Sequence, residues 1–228
     1  ENLGYGKANN IGLAKVDTKY ALILNPDTIL EQNTFENFLG VANQFSDFAI
    51  IAPAQQEKEI KKTITTDFLI KHNTNSSERI EVNNVKGFAM FLKIDEFKEV
   101  GFFDENFFMY FEEIDLCKRL KKFNKKIYLV PSIKIIHHGG QSHSVSINHE
   151  MELSRNWHWM WSTFNYNKKY KGYLISLLIT FPRLLSAIIK FLFYTCILKK
   201  NKKDIYFYRY LGLINAITGK KSWYRPNV

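Results

Sequence analysis

From Gly101 to Arg119 the chain reads Gly-Phe-Phe-Asp-Glu-Asn-Phe-Phe-Met-Tyr-Phe-Glu-Glu-Ile-Asp-Leu-Cys-Lys-Arg, five carboxylates among six aromatic rings. A solvated acidic face would lack the rings, and an ordinary core would lack the carboxylates. Burying an ionised carboxylate without a cation or donor is very unfavourable, so something positive must sit nearby. A divalent metal, a basic side chain such as Arg119, or a proton shared between adjacent acids would each serve. All three are useful to an enzyme, and His137 follows a short strand pair later.

A second acidic residue stands apart. The apolar run Tyr20 to Leu24 stops at Asn25-Pro26-Asp27, which reads as a buried strand with a turn at its carboxyl end. Ligands bind at that edge of open α/β sheets, so Asp27 is either a functional acid or a cap for the turn or the following helix. Upstream, Gly4-Tyr5-Gly6-Lys7-Ala8-Asn9-Asn10-Ile11-Gly12 resembles a glycine-containing helix entry whose N–H groups could meet a phosphate. The three spaced glycines of a dinucleotide fingerprint are absent.

The elements that must position these residues follow from periodicity. A helix is expected from about Asn33 to Phe45, then a strand at Phe48 to Ala52, the alternation of a parallel or mixed sheet. Polar residues from Gln55 to Asn84 suit an edge strand and a variable loop. Strand character returns at Val85 to Leu92, where Gly87 admits close approach of another group, and Ile94 to Val100 suits a short helix. Ile114, Leu116, Cys117, Leu120 and Phe123 form one apolar stripe, so the helix from Glu113 to Phe123 carries Glu112 and Glu113 at its favourable dipole end. Asp115 and Arg119 fall four apart, the spacing of a local ion pair. Two short strands around Pro131, Ile127 to Val130 and Ile133 to Ile136, then lead to His137.

Composition narrows the class. An apolar fraction of 46% in 228 residues excludes disorder. The net charge of +10 is concentrated toward the end, where 13 cationic residues lie between Lys168 and Arg225. They are interleaved with apolar and aromatic residues, which suits a membrane surface better than a nucleic-acid groove. The apolar stretch Tyr173 to Leu198 is long enough to span a bilayer but carries Pro182, Arg183 and Lys190, so interfacial amphipathic helices are expected. Cys117 and Cys196 support neither a disulfide framework nor a zinc site, and a reducing compartment fits.

Taken together, the block from Asn2 to Gly12, Leu24-Asn-Pro-Asp-Thr, Lys86-Gly-Phe-Ala-Met-Phe, the 101–116 stretch and His137-His-Gly-Gly-Gln-Ser resemble family 2 glycosyltransferases, especially the rhamnosyltransferase-like branch. The resemblance implies an α/β GT-A fold, a mixed sheet flanked by helices. It further implies a catalytic domain over 1–150 that lacks the first, nucleotide-gripping strands, and an amphipathic, membrane-associated helical tail over 151–228. It implies a nucleotide-sugar donor, Mg²⁺ or Mn²⁺, and inverting transfer of a sugar such as rhamnose to a glycan or lipid-linked acceptor at the cytoplasmic face of the membrane.

Roles come with the resemblance. Asp27 and His137 match the metal contacts, although the family's Asp-x-Asp element is here reduced to Asn25-Pro26-Asp27. Glu113, beside Glu112, takes the place of the catalytic base, where the family usually has Asp. Asn2, Gly4, Asn9 and Asn25 match the donor side, and Gly87, Asp104 and Glu105 the acceptor side. A non-catalytic membrane-surface or polyanion-binding module, with a purely structural acidic cluster, is the competing expectation.

Overall fold

The apolar run Tyr20–Leu24 is strand β1, as its composition requires. In this computed structural model, which describes residues 2–55, 79–138 and 145–226, helix α1 (Tyr5–Leu13) precedes it. There follow β2 (Thr28–Leu30), α2 (Thr34–Gln44), β3 (Ile50–Gln55), β4 (Ile80–Glu81), β5 (Ala89–Lys93), a 3₁₀ turn at Ile94–Phe97, α3 (Glu112–Lys122) and β6 (Ile127–His137). Three long helices complete the chain: α4 (Asn148–Lys171), α5 (Tyr173–Cys196) and α6 (Lys200–Ile217). Most of the loop expected to carry specificity, 56–78, and most of the segment after His138, including His143, lie outside the described residues.

The chain divides into two compact units, one of residues 9–103 and 113–142, the other of 1–8, 104–112 and 143–228. The first is built on one mixed sheet in the order β1-β5-β3-β6-β2, with β4 also paired to β6. β3 and β6 run parallel, and the other pairings are antiparallel. Phe38 and Ala42 of α2 pack on Phe48, Ile51, Phe91 and Val130, giving the sheet a core closed to water. Asn124 ends α3 in the left-handed conformation (φ 55°), which its short polar side chain tolerates.

Two differences from the sequence expectation are instructive. The strands expected on either side of Pro131 are one strand of 11 residues. Its pairing with β3 jumps from Val130 to Lys134 between Pro53 and Ala54 of β3, where a proline on each strand offers no N–H and the ladder is interrupted without ending the strand. The tail is likewise more than amphipathic helices. Trp157, Trp161 and Phe164 of α4 with Leu213 and Ala216 of α6 form a second buried core. The helix backbones come close enough there that a Cβ on Gly212 would lie 2.3 Å from the Trp157 carbonyl.

Candidate active site

Sheet register explains the first part of the site. β2 pairs antiparallel with the end of β6, setting Thr28 opposite His137, and the His138 N–H donates to the Asp27 carbonyl at 3.1 Å. The turn that carries Asp27 is held by the Asn25 N–H donating to the Phe88 carbonyl (2.8 Å) and by the Thr28 hydroxyl donating to the Asn25 carbonyl (2.7 Å). His137 Nε2 therefore lies 3.3 Å from Asp27 Oδ1, with only 6% of the aspartate side chain exposed. Phe88 stacks on the imidazole at 4.9 Å with the rings 8° from parallel, fixing its plane. The contact is close but not aligned for a hydrogen bond, and Oδ1 is buried without a donor.

A buried carboxylate oxygen with no donor is costly, and a cation is what would relieve it. Two atoms of one divalent cation's coordination shell stand about 3 Å apart, so this oxygen and imidazole nitrogen fit such a shell. Among the described residues no group of three or more His, Cys, Asp or Glu side chains gathers to hold a metal by itself. Further donors would have to come from a ligand and water, as is usual for Mg²⁺ or Mn²⁺ beside a diphosphate.

The carboxylate pair occupies the start of α3. Burial pushes the Glu113 carboxyl above its ordinary range, opposed by hydrogen bonds from the Glu113 and Ile114 N–H groups. One turn on, burial pushes the Cys117 thiol up to about 12, making it an inert packing group, and the Val85 backbone hydrogen bonds it. Val85 lies three residues before Phe88, so one short segment touches both the Glu113 face of α3 and the His137 ring. Glu112 is 3% exposed. Its charge joins burial in raising the Tyr110 phenol, against Arg155. Asp115 and Arg119 form the expected ion pair at 2.8 Å. The guanidinium also donates to the carbonyls of Val100, Gly101 and Phe102, stapling the turn before the acidic stretch.

The other candidates show what holds them. Asp104 accepts from the Asn106 N–H and side chain and from Lys169 at 2.7 Å, and these outweigh burial to hold its carboxyl below the usual range. Asn2 accepts from the Gly4 N–H. Gly4 (φ +83°) must be glycine, since a Cβ there would lie 2.5 Å from the Phe108 carbonyl. Asn10, beside the candidate Asn9, clamps the Phe103 backbone from both sides, its Nδ2 donating at 2.9 Å and its Oδ1 accepting at 3.0 Å. Phe107 and Phe108 are buried, so these rings are packing. Gly87 lies in the turn before β5.

Asn2 and Glu105 line one 330 Å³ cavity with Lys7, Lys221 and Arg225, three cations that no sequence pattern groups. The guanidinium of Arg225 stacks 3.5 Å over Phe108. The segment carrying these residues is held by buried His158, whose Nε2 donates to the Tyr224 carbonyl (2.9 Å) while Nδ1 accepts from Ser222 (3.2 Å).

Comparison with known proteins bears on this geometry. No protein-family model matches the chain. It is 28% identical to rhamnosyltransferase WbbL of Escherichia coli over 160 residues, 59% of this chain and 61% of that protein. It is 25% identical to the low-salt glycan biosynthesis hexosyltransferase Agl10 of Haloferax volcanii over 60% of this chain and 49% of that protein. It is 24% identical to the N-acetylglucosaminyl-diphospho-decaprenol L-rhamnosyltransferase of Mycobacterium tuberculosis over 62% of this chain and 57% of that protein. The chain is a homologue of rhamnosyl- and hexosyltransferases. This glycosyltransferase homologue thus spans about half to three fifths of the length of the curated relatives it matches. Its fold is that of the mannosyltransferase PcManGT from Pyrobaculum calidifontis, solved in complex with GDP-Man and Mn²⁺. The TM-score is 0.54 at 11% identity, over 96% of this chain and 68% of that one. The expected GT-A architecture and the glycosyltransferase resemblance are borne out.

Proposed function

We propose that the chain is the catalytic part of a metal-dependent, inverting glycosyltransferase that moves a hexose or deoxyhexose from a nucleotide-diphosphate donor to a hydroxyl of a glycan or lipid-linked acceptor. The observation that carries this reading is the buried, donor-free Oδ1 of Asp27 beside His137. A purely structural acidic turn would have recruited a lysine, an arginine or backbone N–H groups, as Asp47, Asp104 and Asp115 do elsewhere in the chain. That contrast weighs against the non-catalytic module.

Asp27 and His137 would hold Mg²⁺ or Mn²⁺ against the donor diphosphate. The ion, when bound, neutralises charge developing on the departing nucleoside diphosphate. Glu113 is the group we assign as base. Its raised proton affinity suits it to take the acceptor hydroxyl proton as the acceptor oxygen bonds to the anomeric carbon and the bond to the diphosphate breaks. Glu112, buried near Tyr110, positions the segment that presents Glu113. Asn2, Gly4, Asn9 and Asn25 are assigned to the donor side, and Gly87, Asp104 and Glu105 to the acceptor side. For Gly4 and Asp104 the observed contacts also give a structural job.

The site of action we infer is the cytoplasmic surface of a membrane. Helix α5 is apolar and long enough to cross a bilayer, yet only 17% of its most apolar window is buried in the protein. Leu174, Leu178, Phe181, Leu185, Ile189 and Leu192 form one exposed row, with Lys199, Lys200, Lys202 and Lys203 beyond its end. Each such apolar side chain taken from water contributes about 1.5–3 kcal/mol and each lysine at an anionic surface about 1 kcal/mol, so the apolar row dominates.

Incubation with a panel of nucleotide sugars tests the reading. Donor turnover that requires Mn²⁺ and stops with a chelator supports it. Turnover indifferent to chelation removes the metal roles of Asp27 and His137.

A further inference from the structure

Beside the exposed row of α5, the helices α4, α5 and α6 enclose a cleft of 540 Å³ lined by Trp159, Arg183, Ser186, Tyr206 and Arg209. Arg183 and Lys190 are seven residues apart on α5 and share a stripe with Ser186. The Lys190 ammonium and the Arg209 guanidinium lie 5.2 and 5.6 Å from the centre of the Tyr206 ring. Two arginines therefore line one opening, and Lys190 stands beside the Tyr206 ring that also lines it. Among the described residues, no carboxylate pairs with any of them. Arg183 spends one N–H on the Ile179 carbonyl, and Arg209 Nε is buried with no acceptor.

A buried guanidinium N–H without an acceptor is as unfavourable as a buried carboxylate without a donor, and it calls for an anion with oxygens. Planar arginine forks suit phosphate, and the hydroxyls of Ser186 and Tyr206 can donate to the same group. The position of the cleft selects the carrier. The cleft and the exposed apolar row are neighbouring stripes of one helix, so a lipid whose chains lie along Leu178, Leu185 and Ile189 brings its phosphate to the opening.

We propose that this cleft is a binding site for the phosphate or diphosphate headgroup of a membrane lipid, held by Arg183 and Arg209 with Lys190 assisting. The cleft is built by residues of the helical unit, whereas Asp27 and His137 belong to the sheet unit, and the proposal rests on the membrane-surface reading of α5. Donor turnover in solution does not involve it, so failure of this proposal is distinguishable from failure of the transferase reading.

Vesicle flotation tests it with the whole chain. Three vesicle compositions are needed: phosphatidylcholine alone, with phosphatidylglycerol, and with a polyprenyl diphosphate. Arg209→Gln and the pair Arg183→Gln with Arg209→Gln are compared with a control that neutralises Lys200, Lys202 and Lys203. Circular dichroism melting verifies that each variant is folded. The expected result is a loss of about tenfold in affinity for one or both phosphate-bearing vesicles that persists at high salt, while the lysine control loses affinity only at low salt. A larger loss on polyprenyl diphosphate assigns the site to that lipid, and a larger loss on phosphatidylglycerol assigns it to the bilayer. Arginine variants that bind both vesicles like the parent, or whose loss vanishes with salt as the lysine control's does, overturn the proposal.

Discussion

Asp27 Oδ1 and His137 Nε2 stand 3.3 Å apart although 110 positions separate them in the chain. The pairing of Thr28 with His137 at the sheet edge is what joins them. Phe88, stacked on the imidazole, is held through its carbonyl by the Asn25 N–H of the same turn. The turn before β2, the turn before β5 and the end of β6 thus fix one acid and one ring before any ligand arrives, which is the preorganisation an electrostatic catalyst needs.

Glu113→Gln is expected to lower sugar transfer by about 10²–10⁴-fold while leaving donor affinity unchanged, since a general base acts in the transition state and not in binding. Steady-state kinetics and donor titration separate the two. Because burial raises the Glu113 carboxyl above 4.5, the acidic limb of the pH profile for kcat/KM should fall above that value. The limb should move or vanish in the Gln variant.

Gly212→Ala is expected to cost about 1–3 kcal/mol, because its methyl would meet the Trp157 backbone at 2.3 Å and force α4 and α6 apart. Thermal melting followed by tryptophan fluorescence reads this directly. The same substitution at Gly40, where nothing lies within 4 Å, should be nearly silent or mildly stabilising.

Buried His158 should make stability pH-dependent. Burial lowers its pKa from 6.5 to about 4. The unfolded chain therefore binds the proton more readily, and stability is lost as pH falls from about 6.5 toward 4. This group alone should make the protein about 2 kcal/mol less stable at pH 5 than at pH 7. Urea unfolding at the two pH values measures the difference, which should shrink in His158→Gln.

The sheet unit was legible because its signals are local. The apolar run at Tyr20–Leu24, the stripe on α3 and the Asp115–Arg119 spacing each specify structure within a few residues. Asp27 and His137 could be named from motif resemblance, but their meeting depends on strand register between distant segments, which no local pattern encodes. Pro131 is ambiguous in sequence for a related reason, since its missing N–H, like that of Pro53 on β3, marks a broken ladder and not a broken strand. The helical unit is the least legible in the sequence. Its Trp157 core draws on Phe107, Leu213 and Tyr224, all far apart in sequence, so the apolar residues of α4 show no single amphipathic stripe. Tyr110 and Phe111 are both left-handed at φ 71° and 73° just before Glu112, a conformation that their residue types do not signal. Bulky residues rarely adopt that backbone, and such strain tends to collect at functional sites.

Manganese binding in the presence of a nucleoside diphosphate, followed by electron paramagnetic resonance, tests the central claim most directly. The parent chain and Glu113→Gln should bind Mn²⁺ alike, whereas Asp27→Asn and His137→Gln should each weaken it by roughly tenfold or more. Equal binding by the parent and Asp27→Asn would contradict the account.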